Sequence, residues 1–308
     1  MERVAILFNP AAGKGKAYKK KERLEHFLRK FEINYDLFVT QSEENLKELA
    51  REKSERYRTL VGAGGDSTFN ILVNEILKKE AAVTFGMIGL GSSNDVVKEF
   101  EIDSLEKTCT ALKKMKTKRI DLGCIIKDKK ILRYYLGQAN IGLGVLVNKY
   151  VEELAKRKPN LGKIQTFAGT LGIIDSYLSK KIPFSLTLES EKGRIEDNFV
   201  LAIFNNIRYW ATGKKVTPQA LPDDGCLDCC LISNCSFARL ARLVFLSKKG
   251  KHTRAKEVKT LQSQYFKVSS EKAFEIQADG EIIGGFDQPA KFKKIEFKII
   301  PQVLNIIC

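Results

Sequence analysis

The stretch "RTLVGAGGDSTFNILVNEIL" (residues 58–77) decides how this chain is to be read. An apolar run leads into Gly64 and Gly65. A helical pattern follows, with Phe69, Leu72, Val73, Ile76 and Leu77 at helical spacing. A strand that passes through glycines into a helix is a βα corner. Glycine loses more backbone freedom on ordering than any other residue, so glycines placed beside Asp66 imply a close approach to the main chain.

The flanking segments repeat the alternation. "RVAILF" reads as a first strand, followed by a helix with Leu24, Phe27, Leu28 and Phe31 on one face. "YDLFVT" and "EENLKELAREKS" form a second strand–helix pair. "TFGMIGL" is a fourth strand, then "GSSNDVVKEF" and the helix "SLEKTCTALKKMK". Strands and helices in strict alternation predict a parallel sheet with helices on its faces. From about residue 118 strand-like runs dominate, among them "RIDLGCII", "ILRYYLGQANI", "RIEDNFVLAIFN", "GCLDCCLI", "AFEIQAD" and "KFKKIEFKII". Helices interrupt them at about 145–157, 163–179 and 237–248. The expected fold is therefore α/β in two domains. Residues 1–120 form a parallel α/β domain, and 121–295 a mainly antiparallel β domain. Residues from about 296 to 308 are expected to pack back on the first.

With 308 residues, 44% hydrophobic and 29% charged, the chain can bury a sizeable core. No window approaches about 18 consecutive apolar residues, and the N-terminus lacks the regions of a signal peptide, so a cytoplasmic protein is expected. Seven cysteines and two histidines fit reduced thiols better than a disulfide framework or a zinc site. "CLDCCLISNC" reads as a strand carrying small apolar thiols. The net charge of +16 suits an anionic ligand or membrane surface. Its basic residues come with no aromatic RNA-binding motif, which argues against nucleic acid.

Three glycine-rich corners fall at the carboxyl ends of strands: "NPAAGKGK" (9–16), "GAGGDST" (62–68) and "GLGSSND" (89–95). That edge is where parallel α/β sheets bind ligands, and helix N-termini there bind phosphate. Neither the P-loop pattern nor a dinucleotide fingerprint is present, so the phosphate site is of another kind.

The motifs resemble those of the diacylglycerol kinase catalytic family, which includes sphingosine kinases and small bacterial lipid kinases. "GGDSTFNILVN" (64–74) is similar to that family's GGDGT-x-N-x-x-x-N, and "NPAAG" (9–13) to its NPxSG. "GLGSSNDVVK" (89–98) is similar to PLGTxNDFAR, "PQALPDDGCLD" (218–228) to its DDG segment and "QADGE" (277–281) to its late DGE. These matches run in order along nearly the whole chain. The shorter GGDGT alone is shared with NAD kinases, and a NAD-kinase-like enzyme or a non-catalytic nucleotide- or lipid-binding member are the alternatives.

The resemblance implies an ATP-dependent lipid kinase that uses Mg²⁺ and acts on diacylglycerol or a related lipid, with 1–120 as the nucleotide-binding domain and 121–295 as the domain for the lipid acceptor. It implies transient peripheral membrane contact, with homodimerisation left open. Nucleotide contacts fall on Asn9, Pro10, Ala11, Ala12, Gly13, Thr40, Gly64, Gly65, Asp66, Ser67, Thr68, Phe69, Asn70, Ser92 and Asp95. Asp66 and Asp95 either act around magnesium or cap helices. Asp279 or Glu281 supplies the base, although "DG" also suits a hairpin turn. The Asp224 carboxylate, with the carbonyls of Leu221 and Cys226, would hold a structural Mg²⁺. Asp121 is expected to hydrogen-bond between domains. Ser67 stands where the family has glycine, so the turn is expected to be less permissive. The helix "SFARLARLVFLSKK" either packs on the second domain or meets anionic lipid.

Overall fold

A computed structural model describes residues 2–80, 82–157, 165–179 and 182–308. The first two residues of the helix expected over 163–179 lie outside that set. Strands β1 (Val4–Phe8), β2 (Tyr35–Val39), β3 (Thr59–Gly64) and β4 (Thr84–Gly89) pair in parallel in the order β2–β1–β3–β4. Helices α1 (Lys21–Lys30), α2 (Glu43–Arg56), α3 (Asp66–Lys78), α4 (Asp95–Glu99) and α5 (Leu105–Lys114) complete the alternation. Leu24 and Leu28, Leu46 and Ala50, and Phe69, Leu72 and Ile76 are buried in one core with Ile6, Val61 and Phe85 of the sheet. Ser42 and Ser104 cap α2 and α5 by accepting from Asn45 N (3.1 Å) and Lys107 N (3.2 Å). Each such cap contributes about 1 kcal/mol.

The second half is mostly antiparallel. Its strands are β5 (Thr117–Lys127), β6 (Lys130–Tyr135), β7 (Gln138–Gly142), β8 (Phe184–Ser190), β9 (Gly193–Asn205), β10 (Tyr209–Trp210), β11 (Lys214–Lys215), β12 (Leu227–Ser233), β13 (Val258–Ser263), β14 (Tyr265–Phe274), β15 (Ile276–Ala278), β16 (Glu281–Ile282) and β17 (Phe292–Ile307). The order β16–β15–β7–β9–β8–β14–β17 continues directly into β4. Strand β17 makes that join. Its first part, to Lys298, pairs antiparallel with β14 and the stretch from Glu296 to Ile307 pairs antiparallel with β5, while Asn305 and Ile306 also pair in parallel with Thr84 and Phe85 of β4. Past Pro301, Gln302 takes a left-handed φ of 49°, at the shift in register with β5.

The run "ILRYYLGQANI", read as one strand, is two. It breaks at Leu136–Gly137, where the main-chain N–H groups turn toward Asp279 rather than a neighbouring strand. Within "CLDCCLI" the alternation of β12 sends Cys229 into the inter-strand core and Cys230 into the core on the opposite face. Two thiols on opposite faces of one strand cannot share a metal. That second core lies beneath α6 (Leu143–Arg157), α7 (Gln165–Leu178) and α8 (Phe237–Ser247).

Between the strands the core is aromatic. Phe204 of β9 stacks on Phe297 of β17 with centroids 4.0 Å apart and planes at 14°, and Phe266 of β14 lies 5.5 Å away. All three are fully buried. Truncation there removes both transfer energy and packing partners. Phe204→Ala is expected to destabilise the protein by about 3–5 kcal/mol, read as a fall in the urea midpoint.

Candidate active site

The three corners interlock at the carboxyl edge of the parallel sheet. The carbonyl of Gly64 accepts from Leu90 N (2.7 Å) and Gly91 N (3.1 Å), which ties the second corner to the third. A Cβ on Gly91 would lie 2.6 Å from Gly65 Cα, so the two corners touch main chain to main chain. Gly13 has φ of 60°, and a Cβ there would meet the Leu90 carbonyl at 2.8 Å. The first corner is fixed to the second by Asn9, whose Nδ2 donates to Thr68 Oγ1 (2.9 Å) while its Oδ1 accepts from Ala11 N (3.0 Å). Thr40 is buried beside this corner and bonds the Phe8 carbonyl through its N–H (2.9 Å) and its hydroxyl (3.3 Å).

The structure gathers Asn9, Pro10, Ala11, Ala12, Gly13, Gly64, Gly65, Asp66, Ser67, Thr68, Ser92 and Asp95 at these corners, with Ala11 and Ser92 exposed. Phe69 departs from the expected nucleotide contacts. Its ring is fully buried in the first core, edge-on to Phe85 at 6.4 Å. Asn70, one residue on, faces the second domain instead of a corner.

Both corner acids are occupied by main-chain donors. Asp66 caps α4 from a distance: its carboxylate accepts from Asp95 N (3.1 Å) and Val96 N (3.2 Å). Asn94, the residue immediately before that helix, is left-handed and makes no cap of its own. Burial, then the nearby Asp95 charge, pushes the Asp66 carboxyl up to about 7. Asp95 accepts from Thr212 N (3.1 Å) and Gly213 N (2.7 Å) and forms an ion pair with Lys98 (3.6 Å). Those donors sit in the β10–β11 turn, where Ala211 and Thr212 have φ of 49° and 70°. Two residues with side chains thus hold a conformation that favours glycine. Ser67 differs. It lies in the first turn of α3 and is not among the left-handed residues, so its side chain imposes no backbone strain.

Across the domain seam, Asp279 is buried, at 5% exposure. Its carboxylate accepts from Leu136 N (2.7 Å), Gly137 N and Gln138 N (both 2.9 Å) and from Asn70 Nδ2 (2.9 Å). Burial holds this carboxyl above its ordinary range, and those donors work against the shift. Asn70 Nδ2 also donates to the Tyr134 carbonyl (2.8 Å). Asn74, one turn further along α3, brackets Tyr134 by donating to its carbonyl and accepting from its N–H (each 2.9 Å). Arg133 donates through Nε to Asn70 Oδ1 (2.7 Å) and through Nη2 to Glu281. Glu281 is raised by burial, opposed by Arg133. Arg133 and Glu281 line a cleft of about 300 Å³ with Glu43, Leu132 and the 282–286 loop.

The predicted metal residues lie elsewhere, beside Asp121. That carboxylate is fully buried and accepts from Gly225 N and Gln302 N, both at 2.7 Å, joining the DDG loop to β17. Asp224 Oδ1 accepts from Cys226 N (3.0 Å) and Oδ2 from Gln262 Nε2 (2.9 Å), while Leu221 is exposed. Among the described residues, neighbouring Asp228 has a buried Oδ2 with no hydrogen-bond partner, and burial followed by Asp224 pushes its carboxyl up to about 7. Two crowded carboxylates with an unpartnered oxygen are a donor set that a hard cation would satisfy.

A family model described as the diacylglycerol kinase catalytic domain matches residues 3–125. A second, the YegS C-terminal NAD kinase beta sandwich-like domain, matches residues 137–308, more than half of the chain. The chain belongs to the diacylglycerol kinase-like lipid kinase family. It is 23% identical over 299 residues to a diacylglycerol kinase of Staphylococcus aureus (strain MRSA252), covering 96% of this chain and 90% of that protein. The identity is 24% over 285 residues with the diacylglycerol kinase of Staphylococcus saprophyticus, covering 92% and 90%. A crystal structure described as a diacylglycerol kinase from Bacillus anthracis str. Sterne aligns over 99% of this chain and 96% of its own with TM-score 0.70 and 16% identity. Another crystal structure from that organism covers the same shares with TM-score 0.75 and 18% identity.

Within this family framework, Asn74, Arg133, Thr212, Gly213 and Asp228 are site neighbours that sequence reasoning missed. Asn74 carried a signal, since it shares a helical face with Asn70 at i, i+4. Arg133 carried a weaker one, a single cation inside the apolar run "ILRYYL".

Two outcomes test this geometry. Gly91→Ala drives a methyl group into Gly65 and is expected to cost about 1–3 kcal/mol in a denaturant titration. Asp66 binds its proton more tightly folded than unfolded, so its stabilising contribution is full below the ordinary value of 3.8 and is lost as pH rises to about 7. Asp66→Asn is expected to flatten that fall, on the order of 1–3 kcal/mol, in urea midpoints followed across the window.

Proposed function

We propose that this chain is an ATP-dependent lipid kinase, transferring the γ-phosphate of ATP to a hydroxyl of diacylglycerol or a related lipid. The observation that carries the reading is the seam itself. Helix α3 starts at the second glycine corner and, one turn in, its Asn70 contacts Asp279, so one helix ties the corner main chain to the segment that carries the candidate base. Phosphoryl transfer needs positioning, charge neutralisation and a proton acceptor for the attacking hydroxyl.

The corners supply main-chain N–H groups for the phosphates. Glu281 is the better base. Asp279 is 5% exposed and already accepts four N–H donors, whereas the Glu281 side chain is 24% exposed and borders the cleft. The lipid hydroxyl gives its proton to Glu281 as its oxygen attacks the γ-phosphorus. The β–γ bridging oxygen leaves with ADP. Asp279 holds the β6–β7 turn and Asn70 in place around that step.

Magnesium would supply positive charge to the phosphates when bound. Asp66 and Asp95 are the corner carboxylates nearest that role, and Asp224, Asp228 and the Leu221 and Cys226 carbonyls would hold a structural ion. Nothing in the backbone at Ser67 favours a non-catalytic member, because the helical φ there needs no glycine.

A peripheral bilayer contact fits the surface. Among the described residues no helix is long and apolar enough to cross a membrane. Helix α8 buries Leu240 and Leu243 and exposes Phe245, with Arg242, Lys248 and Lys249 also exposed. Such a face suits anionic lipid at a cytoplasmic membrane surface.

Incubation with Mg-ATP and a lipid panel, read by mass spectrometry, is expected to yield a phosphorylated lipid and no NADP from NAD. Glu281→Gln is expected to lower kcat by about 10²–10⁴-fold with the fold retained, while Ser67→Gly leaves turnover near wild type. Lipid phosphorylation undiminished in Glu281→Gln would remove the base from this scheme.

A further inference from the structure

The guanidinium of Arg133 connects two parts of the seam that sequence keeps far apart. Its Nε donates to Asn70 Oδ1 at 2.7 Å and its Nη2 pairs with the Glu281 carboxylate. An asparagine amide has one acceptor and one donor end, and only the hydrogen-bond network fixes which way it points. Arg133, together with Asn74, whose Nδ2 donates to the same oxygen at 3.2 Å, claims the Oδ1 of Asn70 and leaves the NH₂ end for Asp279 and the Tyr134 carbonyl. The other arm of the same planar fork fixes the carboxylate that borders the cleft. We propose that Arg133 is a positioning residue for phosphoryl transfer, orienting the Glu281 carboxylate and the Asn70 amide together through one guanidinium. The inference rests on the kinase reading and on Glu281 as its base.

The surroundings single out Arg133 as the decisive charge. Glu281 is faced by Arg133 from β6 and by Glu43 and Lys47 from α2, with Asp279 two residues before it on its own turn. Glu43 and Lys47 pair with each other, so their effects on Glu281 largely cancel. Burial raises the Glu281 carboxyl and Arg133 lowers it. Arg133 thus works against the burial that disfavours the ionised form of this carboxylate. The arrangement also requires the fork, because a lysine ammonium is a point charge and cannot reach both partners in one plane.

The test is the pH dependence of kcat/KM for wild type, Arg133→Lys, Arg133→Met and Arg133→Gln, with Mg-ATP and vesicles containing diacylglycerol. An opposite charge at this range moves a carboxylate by about 1–3 units, so in Arg133→Met the acidic limb is expected to move up by about one unit or more. Activity then recovers as pH rises, since the base deprotonates late. Arg133→Lys is expected to keep the limb near its wild-type place and to lose roughly tenfold in kcat through misplacement. If Arg133→Met does not fold, Arg133→Gln, which retains a donor for Asn70 without the charge, carries the same expected shift. A uniform loss at every pH in the neutral variants, with the limb unmoved, overturns the inference. Glu281→Gln separates the two levels. If it turns over like wild type, the kinase scheme with Glu281 as base fails. If it is inactive while the neutral Arg133 variants keep a wild-type limb, only the role of Arg133 fails. A wild-type protein that phosphorylates no acceptor overturns both.

Discussion

Four N–H groups converge on the carboxylate of Asp279, and most of the seam between domains follows from that convergence. Three come from consecutive main-chain positions, Leu136 to Gln138, and the fourth from Asn70 on α3. Hydrogen bonds to a charged group contribute about 1.5–3 kcal/mol each, yet a buried carboxylate carries a desolvation penalty of similar total size. The set is therefore worth little as net stability and a great deal as geometry. Remove one donor and a buried charge is left short of partners. Because the acid must be served, β6 ends where it does, β7 begins where it does, and α3 sits at a fixed distance from both.

The same logic runs through the corners at smaller scale. Asp66 takes its hydrogen bonds from α4 and Asp95 takes its own from the β10–β11 turn, so a chain of acids passes from the second corner to the third and on into the second domain. Each acid is satisfied by main chain belonging to the next element. A carboxylate that caps a helix remote in sequence does two things, ending that helix's orphan donors and fixing where the helix lies. Glu99 extends the pattern from the far end of α4 by accepting from the N–H and Nε of Arg208 at 2.9 Å each.

Much of this was legible in the sequence, for identifiable reasons. Periodicity located the α/β alternation because buried faces repeat locally, and glycine runs marked the corners because close main-chain contact admits little else. What stayed hidden was most of the relations that depend on a distant partner. Asn70 reads as part of a phosphate motif, and only the fold shows it bonded to a residue 209 positions away. Phe69 inherits a binding role from its neighbours in the motif, but its helical phase turns it into the core. "ILRYYLGQANI" has the pattern of one long strand, and the break comes from Asp279, which no local rule could see. The left-handed residues at 211–212 likewise carry no glycine to announce them.

Strand β17 has a consequence for the order of assembly. The parallel sheet of the first domain leaves β4 at its edge, and the partner that covers it lies more than two hundred residues later in the chain. While the intervening residues are being made, β4 presents unpaired main-chain groups to whatever is nearby. Long-range pairing of this kind is slow, because loop closure must precede any reward for contact. The first half can collapse early around its own core, but its sheet is sealed only when the second half delivers β17. Maturation of the two halves is thereby synchronised: a chain that has not yet built its second domain has not finished building its first either.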